Sequence, residues 1–399
     1  MALDCLRCKG RGFCRKRCIF SKPLKKADVG SEISSVAPAP FIGRVGYPNI
    51  SVGVLSPPEK REGAWEYDAP KYWARENYSI PKILDMRTEL INSRAKVGVL
   101  ESNKFVDLVQ EVGMASKPVD IDVSLKGPVK FSYKVDSTAA PLGPSGELSN
   151  AELTSNPRIP VHVEKVSSDT DLKAFDALDI LQKKGYDEHF LMKVLSVGSV
   201  GVKKNRKLVP TRWSITAVDD HMGKTLRDEI RDYQQCDYQA YFGGHLGNYY
   251  LIMLFPDIWS YELFEVYLPK AGWNLGGEIA YSTDHEGHEG RKQYAENCAG
   301  GYYACRLPIL QKLKSMKRQG MVLVYRIITD EYETPMGVWV CREATRKALS
   351  NDPVNFSSEE LMLRYAELLL SRKFGIHDFT GKSLLLRKRN SQAKLNAFF

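Results

Sequence analysis

Residues 247–268, GNYYLIMLFPDIWSYELFEVYL, decide the fold class. Tyr249 to Phe255 is an unbroken apolar run bounded by Gly247-Asn248 and Pro256-Asp257, which is the pattern of a buried strand. Ser260 to Leu268 follows closely enough to pair with it as a second strand. Downstream, Leu307 to Arg318 has a helical pattern, with Lys314, Lys317 and Arg318 in the last turn and Gly320 placed as the C-terminal cap. Met321 to Ile328 then reads as another buried strand. Ser357 and Glu360 form a capping box ahead of Leu361, Tyr365, Leu368 and Leu369, whose spacing makes one apolar helix face. Upstream, Ile83 to Val97 and Asp171 to Lys184 fit helices, and Val119 to Tyr133 alternates as a strand pair would. Helices and strands are interspersed without a strict βαβ rhythm, a glycine-rich phosphate loop or an internal repeat. The expectation is a mixed α/β or α+β globular body over 43–385, with room for two subdomains.

The chain has 399 residues, 43% of them hydrophobic and 26% charged, enough for a full-sized core. No run of about 18 apolar residues exists to span a bilayer. The first residues, MALDCLRCKGRGFCRKRC, lack the apolar stretch of a signal peptide, so an intracellular, nucleoid-associated protein is expected. The net charge of +9 is concentrated at the two ends: residues 1–26 carry +8 and residues 371–399 carry +6, which leaves −5 for 27–370. A mildly acidic body with basic ends argues against a broad face that grips duplex DNA.

Four of the eight cysteines fall in the first 18 residues. Cys5, Cys8, Cys14 and Cys18 have the form C-x2-C-x5-C-x3-C, and Gly10-Arg11-Gly12 lets the chain double back between the pairs. In a reducing compartment this spacing points to a structural Zn²⁺ site in a small zinc-finger segment, 1–20, with an Fe–S cluster or redox thiols as alternatives. Four sulfurs leave no open position for catalysis. Arg7, Lys9, Arg11, Arg15, Lys16 and Arg17 ease formation of the thiolates and offer contacts to nucleic acid. Residues 21–42, rich in Pro, Ser, Ala and Gly, read as a linker or as extended chain laid over the body.

Residues 392–399, QAKLNAFF, match Q-x-x-[aliphatic]-x-x-[aromatic]-[aromatic], the box by which proteins bind the sliding clamp PCNA. On one helical turn Leu395, Phe398 and Phe399 form an apolar plug, while Gln392 offers an amide to a polar pocket. Arg387, Lys388 and Arg389 suit an acidic rim. The stretch from Leu386 reads as a solvated, flexible C-terminal tail, 386–399.

With both ends in view, the chain resembles the archaeal Nre family of DNA repair proteins. The resemblance rests on the four-cysteine basic N-terminus, the clamp-binding box, the length, and central stretches such as Val209-Pro210-Thr211-Arg212-Trp213-Ser214-Ile215-Thr216. It implies a role in DNA damage repair through PCNA, with a zinc finger and a central region of unassigned chemistry.

That central region holds three polar clusters. Asp284-His285-Glu286-Gly287-His288-Glu289 is not H-E-x-x-H and reads first as a solvated loop, with a second zinc site formed with Cys298 and Cys305, or an active-site loop, as alternatives. Arg212 with Asp219, Asp220 and His221 suits nucleotide chemistry, or else a surface turn and a capped helix. Gly243-Gly244-His245-Leu246-Gly247-Asn248 reads as a tight turn, and Tyr233, Tyr238, Tyr241, Tyr249 and Tyr250 read mostly as half-buried core. Three functions fit the sequence. One is a clamp-recruited repair factor that binds DNA or other repair proteins. The second is a clamp-recruited enzyme acting on DNA, nucleotides or a nucleotide-derived modification, and the third is an RNA- or ribosome-associated protein. A cavity uniting Arg212, Asp219 and His285 would favour the enzyme.

The cysteine reading predicts one Zn²⁺ per chain under reducing conditions, held by about 10–16 kcal/mol in segments of this size. Metal analysis that finds an ordered but zinc-free N-terminal segment would remove it.

Overall fold

The computed structural model describes residues 29–129, 142–271, 274, 277–332, 334–377 and 380–391. The four N-terminal cysteines and their neighbouring cations, and the box at 392–399, lie outside the described residues. The chain divides into two compact units inside the helix Thr211–Ile230, one ending at His221 and the other beginning at Met222.

Among the described residues, the first unit is built on a six-stranded sheet. Its strands are β1 (Glu32–Ala37), β2 (Ala39–Ile42), β3 (Asn49–Ser56), β4 (Ile91–Gly98), β5 (Val119–Leu125) and β6 (Ser145–Leu153), in spatial order β1-β5-β6-β4-β3-β2. The two edge strands are consecutive in sequence and joined through Pro38 alone. The sheet therefore curls until its edges meet at that proline, as a barrel closes. Residues 32–42, read from composition as linker or overlaid chain, are thus both edges of the sheet. Composition misleads here because Ser, Ala and Pro are tolerated where a strand lies at an edge or a corner. In β5 strict alternation sends Val119, Ile121, Val123 and Leu125 inward. The helix Lys104–Met114, capped by Asn103 Oδ1 on the Val106 N–H at 2.9 Å, closes the core with Val106, Val109 and Val112. Two expectations change. The helix expected over Ile83 to Val97 spans Ile80–Glu89, and the chain re-enters the sheet at Ile91. Val119–Leu125 pairs with β1 and β6, and residues 130–133 of the expected pair lie outside the described residues.

The second unit holds β8 (Tyr238–His245), β9 (Asn248–Phe255), β10 (Ser260–Tyr267), β11 (Ala280–Glu286), β13 (Met321–Ile328) and β14 (Val354–Phe356), ordered β11-β10-β13-β9-β8-β14. A separate two-stranded ladder joins β7 (Gln234–Gln235) to β12 (Arg318–Gln319). The strand at 249–255 and its successor both form, yet they do not pair. Met321–Ile328 lies between them, parallel to β10 and antiparallel to β9. All eight of its residues are buried, so only a central position covers both its faces and both its edges.

Helix boundaries also shift for local reasons. The helix Ala299–Met316 ends at Lys317, which itself takes the left-handed cap at φ 52°. Gly320 serves a different need: a Cβ there would meet Cys236 Sγ at 2.4 Å. The capping residue of Glu359–Phe374 is Ser358, whose hydroxyl accepts from the Leu361 N–H at 3.3 Å. Its core face is Met362, Ala366 and Leu370, while Leu361 and Leu368 are exposed. The apolar stripe is one residue out of step with the expected one.

The C-terminal arm begins later than its charge suggested. Leu384–Ser391 is a helix with Leu385 and Leu386 buried. Glu262, fully buried on β10, accepts from Ser383 Oγ at 2.6 Å and from the Leu384 and Leu385 N–H groups at 3.1 Å each. Arg389 is paired with Asp257 and, at 2.8 Å, with Glu359, and it donates to Tyr238 Oη at 3.1 Å. A cation in a solvated stretch by sequence is a tether in the structure. Glu262→Ala should destabilise the second unit by about 2–4 kcal/mol, because three donors lose their acceptor in a dry site. Hydrogen exchange at Leu384 and Leu385 should accelerate. Unchanged protection would mean that the helix is held without this cap.

Candidate functional site

Residues 63–75, GAWEYDAPKYWAR, build one wall of a cavity in the first unit. Ala64–Asp68 is a short 3-10 turn, and Pro70 opens the helix Pro70–Arg75, where its fixed φ and missing N–H suit the first turn. Trp73 turns inward and donates its Nε1–H to the Glu66 carbonyl at 2.6 Å. Trp65 turns outward, 44% exposed, with Tyr72 edge-on at 4.7 Å. Tyr72 meets Tyr78 in the same way, at 5.7 Å, and Arg75 lies over the Tyr72 ring. Below them the Tyr67 hydroxyl donates to Glu89 at 2.6 Å. Burial, then that carboxylate, pushes its phenol up to about 12 and keeps it a neutral donor.

The helix Glu188–Ser196 forms a second wall. Asp187 caps it, accepting from the Phe190 N–H at 2.9 Å, and also holds Lys71 at 3.2 Å. His189 and Lys193 stand one turn apart on the same helix face. His189 Nε2 is bonded to Asp68 Oδ2 at 2.8 Å, and Arg87 approaches the other oxygen of that carboxylate at 3.6 Å. Burial alone would raise the Asp68 carboxyl. The His189 charge and hydrogen bond, with Lys193 and Arg87, outweigh burial and hold it below the usual carboxylate value.

Between these walls lies a cavity of about 390 Å³, with Pro38, Pro70 and Pro118 among its apolar lining. Its charged lining is Lys71, Arg75, Lys117 and Lys193 against Asp68 and Asp187, with His189 beside them. Asp68 is matched by Arg87 and His189, and Asp187 by Lys71. Among the described residues Lys117 and Lys193 form no ion pair, although the Lys193 charge acts on Asp68 and its ammonium lies 5.8 Å from the Phe190 ring centroid, and the cations of the lining outnumber its carboxylates. Of the lining hydroxyls, Ser116 Oγ donates to the Arg158 carbonyl at 2.8 Å. The His189–Asp68 pair therefore positions a ring, and the arrangement as a whole is one of cations and an open aromatic face.

The polar clusters singled out in the sequence take other roles. Asp284-His285-Glu286 lies on strand β11, not in a solvated loop, so successive side chains point to opposite faces. Asp284 is buried, accepts from the Cys298 N–H at 2.7 Å and pairs with Arg291 at 3.2 Å. Glu286 is buried against Arg306 at 2.7 Å and Trp259 Nε1 at 3.0 Å. His285 is half-buried, and burial lowers its imidazole below the usual value. The bridge Gly287–Gly290 closes the turn, and Glu289 reaches Arg231. Burial also raises the thiols of Cys298 and Cys305, the wrong direction for metal-binding thiolates. Among the described residues no three His, Cys, Asp or Glu side chains converge to hold a metal ion.

Arg212 is exposed in the first turn of Thr211–Ile230, whereas Asp219 is buried two turns on, roughly 10 Å along the axis. His221 bonds Asp179 at 2.7 Å and stacks on Phe175. None of Arg212, Asp219 and His285 lines the cavity. Leu246-Gly247, with φ of 51° and 69°, makes the two-residue turn between β8 and β9. Tyr241 and Tyr250 are buried, and Tyr233, Tyr238 and Tyr249 half-buried. Sequence reasoning missed Trp65, Asp68, Lys71, Lys117, His189 and Lys193. The available signal was the density of Trp65, Tyr67, Tyr72, Trp73 and Tyr78 in one short, charged stretch.

The fold is that of a mixed α/β protein with a basic cavity that carries an exposed aromatic ring, and no helix among the described residues is long and apolar enough to cross a membrane. A family model described as "Archaeal Nre, N-terminal" matches residues 15–274, and one described as "Archaeal Nre, C-terminal" matches 286–398. The chain belongs to the archaeal Nre family. The DNA repair protein NreA of Haloferax volcanii is 37% identical over 79% of this chain and 78% of its own length. The DNA repair protein NreB of Archaeoglobus fulgidus is 35% identical over 92% and 93%, and the NreA of the same organism 35% over 94% and 95%. No solved structure matches the chain. The first family match ends at 274 and the second begins at 286, which leaves β10 in one and its parallel partner β13 in the other, so the family halves are not the two structural units.

Because Asp68 is held below its unfolded value, its contribution to stability is full above about pH 4 and is lost as the pH falls through its folded pKa. Asp68→Asn should cost about 1–3 kcal/mol near pH 7. Its deficit against the parent should shrink on acidification below about pH 4. A deficit independent of pH would assign the loss to packing and not to charge.

Proposed function

We propose that this protein is a DNA repair factor brought to DNA by the sliding clamp PCNA, which it grips through Gln392, Leu395, Phe398 and Phe399. The observation that carries the repair role is its relatedness, across nearly the whole chain, to proteins that are DNA repair proteins by name. The clamp assignment is supported by the box itself and by what precedes it. The helix Leu384–Ser391 is fastened by Glu262, Asp257 and Glu359, so the box follows directly on a fixed root. Eight residues beyond that root span at most about 28 Å when extended, a short tether that holds the body close to the clamp.

At the other end, Cys5, Cys8, Cys14 and Cys18 bind Zn²⁺, whose thiolates are offset by Arg7, Lys9, Arg11, Arg15, Lys16 and Arg17. The donor set fits the ion: four thiols complete a tetrahedral site, and the cations favour their ionised form. The zinc orders the segment, and the same cations give contacts to the DNA backbone. Other repair proteins are partners that the clamp would bring alongside.

Burying Leu395, Phe398 and Phe399 at roughly 1.5–3 kcal/mol each, less the ordering of the segment, gives clamp binding near the micromolar range. Phe398→Ala with Phe399→Ala should remove on the order of 3–6 kcal/mol and abolish detectable binding, with the melting temperature unchanged. If the double variant instead melted earlier and still bound the clamp in a titration, the aromatics would be an anchor for the fold.

A further inference from the structure

The cavity beside Trp65 combines features that neither the clamp box nor the zinc segment accounts for. Trp65 is a large aromatic left 44% exposed at the cavity, although Trp73, eight residues on, is buried as hydrophobicity dictates. Tyr72 stands edge-on to Trp65, so the indole is braced from the side and keeps a face for a third ring. Lys117 and Lys193 line the cavity without an ion pair among the described residues, and His189, in the same lining, is held by Asp68. An open aromatic face and cations in the lining of one cavity are the chemistry that takes a flat base and the anion attached to it. A volume of about 390 Å³ lies at the small end of ligand sites, which suits one nucleotide and not a helix of duplex.

We propose that this cavity binds one unpaired nucleotide of a single DNA strand, the base stacked on Trp65 and its phosphates held by Lys117 and Lys193. The walls exclude duplex, whose bases are stacked on each other and present no free face. The site thereby separates two tasks: the ends of the chain bring the protein to DNA, and the body holds an unstacked base. The proposal rests on the repair reading only for the choice of DNA over RNA. The ligand chemistry comes from the cavity.

The test is a fluorescence-anisotropy titration of the full chain with a short labelled oligodeoxythymidine, with the same length of duplex, oligouridine and free dTMP as competitors. Trp65→Ala should weaken oligodeoxythymidine binding by roughly tenfold, as loss of one base–aromatic stack does, and leave the salt dependence unchanged. Trp65→Phe, which keeps a ring, should retain most of the affinity. Lys117→Gln with Lys193→Gln should reduce the slope of log affinity against log salt by about 1.4, the value for two phosphate contacts on a single strand. The parent should prefer the single strand to duplex, and dTMP should compete only weakly. Binding unaffected by Trp65→Ala, or a preference for duplex, would overturn the site. Oligouridine bound more tightly than oligodeoxythymidine would overturn DNA as the ligand, and dTMP bound as tightly as the oligomer would overturn the strand in favour of a free nucleotide. Clamp binding by the double phenylalanine variant is read separately, so failure of this proposal leaves that of the clamp assignment distinguishable.

Discussion

The second unit depends on the pairing of charges that its central sheet buries. β10 carries Glu262 and Glu265 three residues apart, so their carboxylates emerge on opposite faces of the sheet. Neither has water, and each therefore dictates what packs over it. Glu265 is met by Arg326 of the neighbouring strand, whose guanidinium also donates to Asn248 Oδ1 at 2.6 Å and 3.0 Å. Glu262 is met by backbone N–H groups at the start of the last described helix. On the adjoining strand Glu286 is met by Arg306, from the helix Ala299–Met316. Three buried carboxylates thus fix the order of three strands and the seats of two helices. Removing a partner would leave a dry charge, which is the most destabilising single change such a site admits.

The same logic explains why the last helix is where it is. Its sequence, Leu384-Leu-Leu-Arg-Lys-Arg-Asn-Ser391, has three cations in succession, and in isolation eight residues would not hold helical structure. Glu262 supplies the missing acceptors at its N-terminus, and Asp257 and Glu359 supply counter-charges to Arg389 near its end. The helix is a tertiary product, and it converts an arm into a rooted tether. That has a functional consequence for any segment attached to it, since effective concentration falls with the length of the free linker.

In the first unit the decisive contrast is between two tryptophans. Trp73 and Trp65 share a residue type and a neighbourhood, but only Trp73 finds an apolar seat and a carbonyl for its N–H. Pro70 sets the angle between the 3-10 turn and the following helix, so the two rings leave on different sides. The outward ring shares a cavity with the helix that carries His189 and Lys193, more than a hundred residues away in sequence. A curled sheet whose edges meet at Pro38 brings these segments to one rim.

The sequence alone determined the elements with strong local signals. The buried runs at 249–255, 260–267 and 321–328 are strands because nothing but a covered sheet accommodates uninterrupted apolar side chains of that length. Helices at 174–183, 307–316 and 359–374 fall where periodicity placed them, although Lys317 and Ser358 are the caps and the first turns from Ala299 were not legible, and the Nre family was recognised from the sequence. Tertiary structure decided everything that turns on pairing at a distance. It placed 321–328 between two strands that are neighbours in sequence, made strands of the composition-poor residues 32–42, and rotated the face of 359–374 by one residue. It also turned Asp284, Glu286, His221 and Arg389 from candidate chemistry or loose charge into buried or half-buried partners. The physical reason is common to all of them. Local propensity registers the cost of one residue in one conformation, whereas the cost of an uncovered strand edge or an unmatched buried charge exists only once the chain has folded back upon itself.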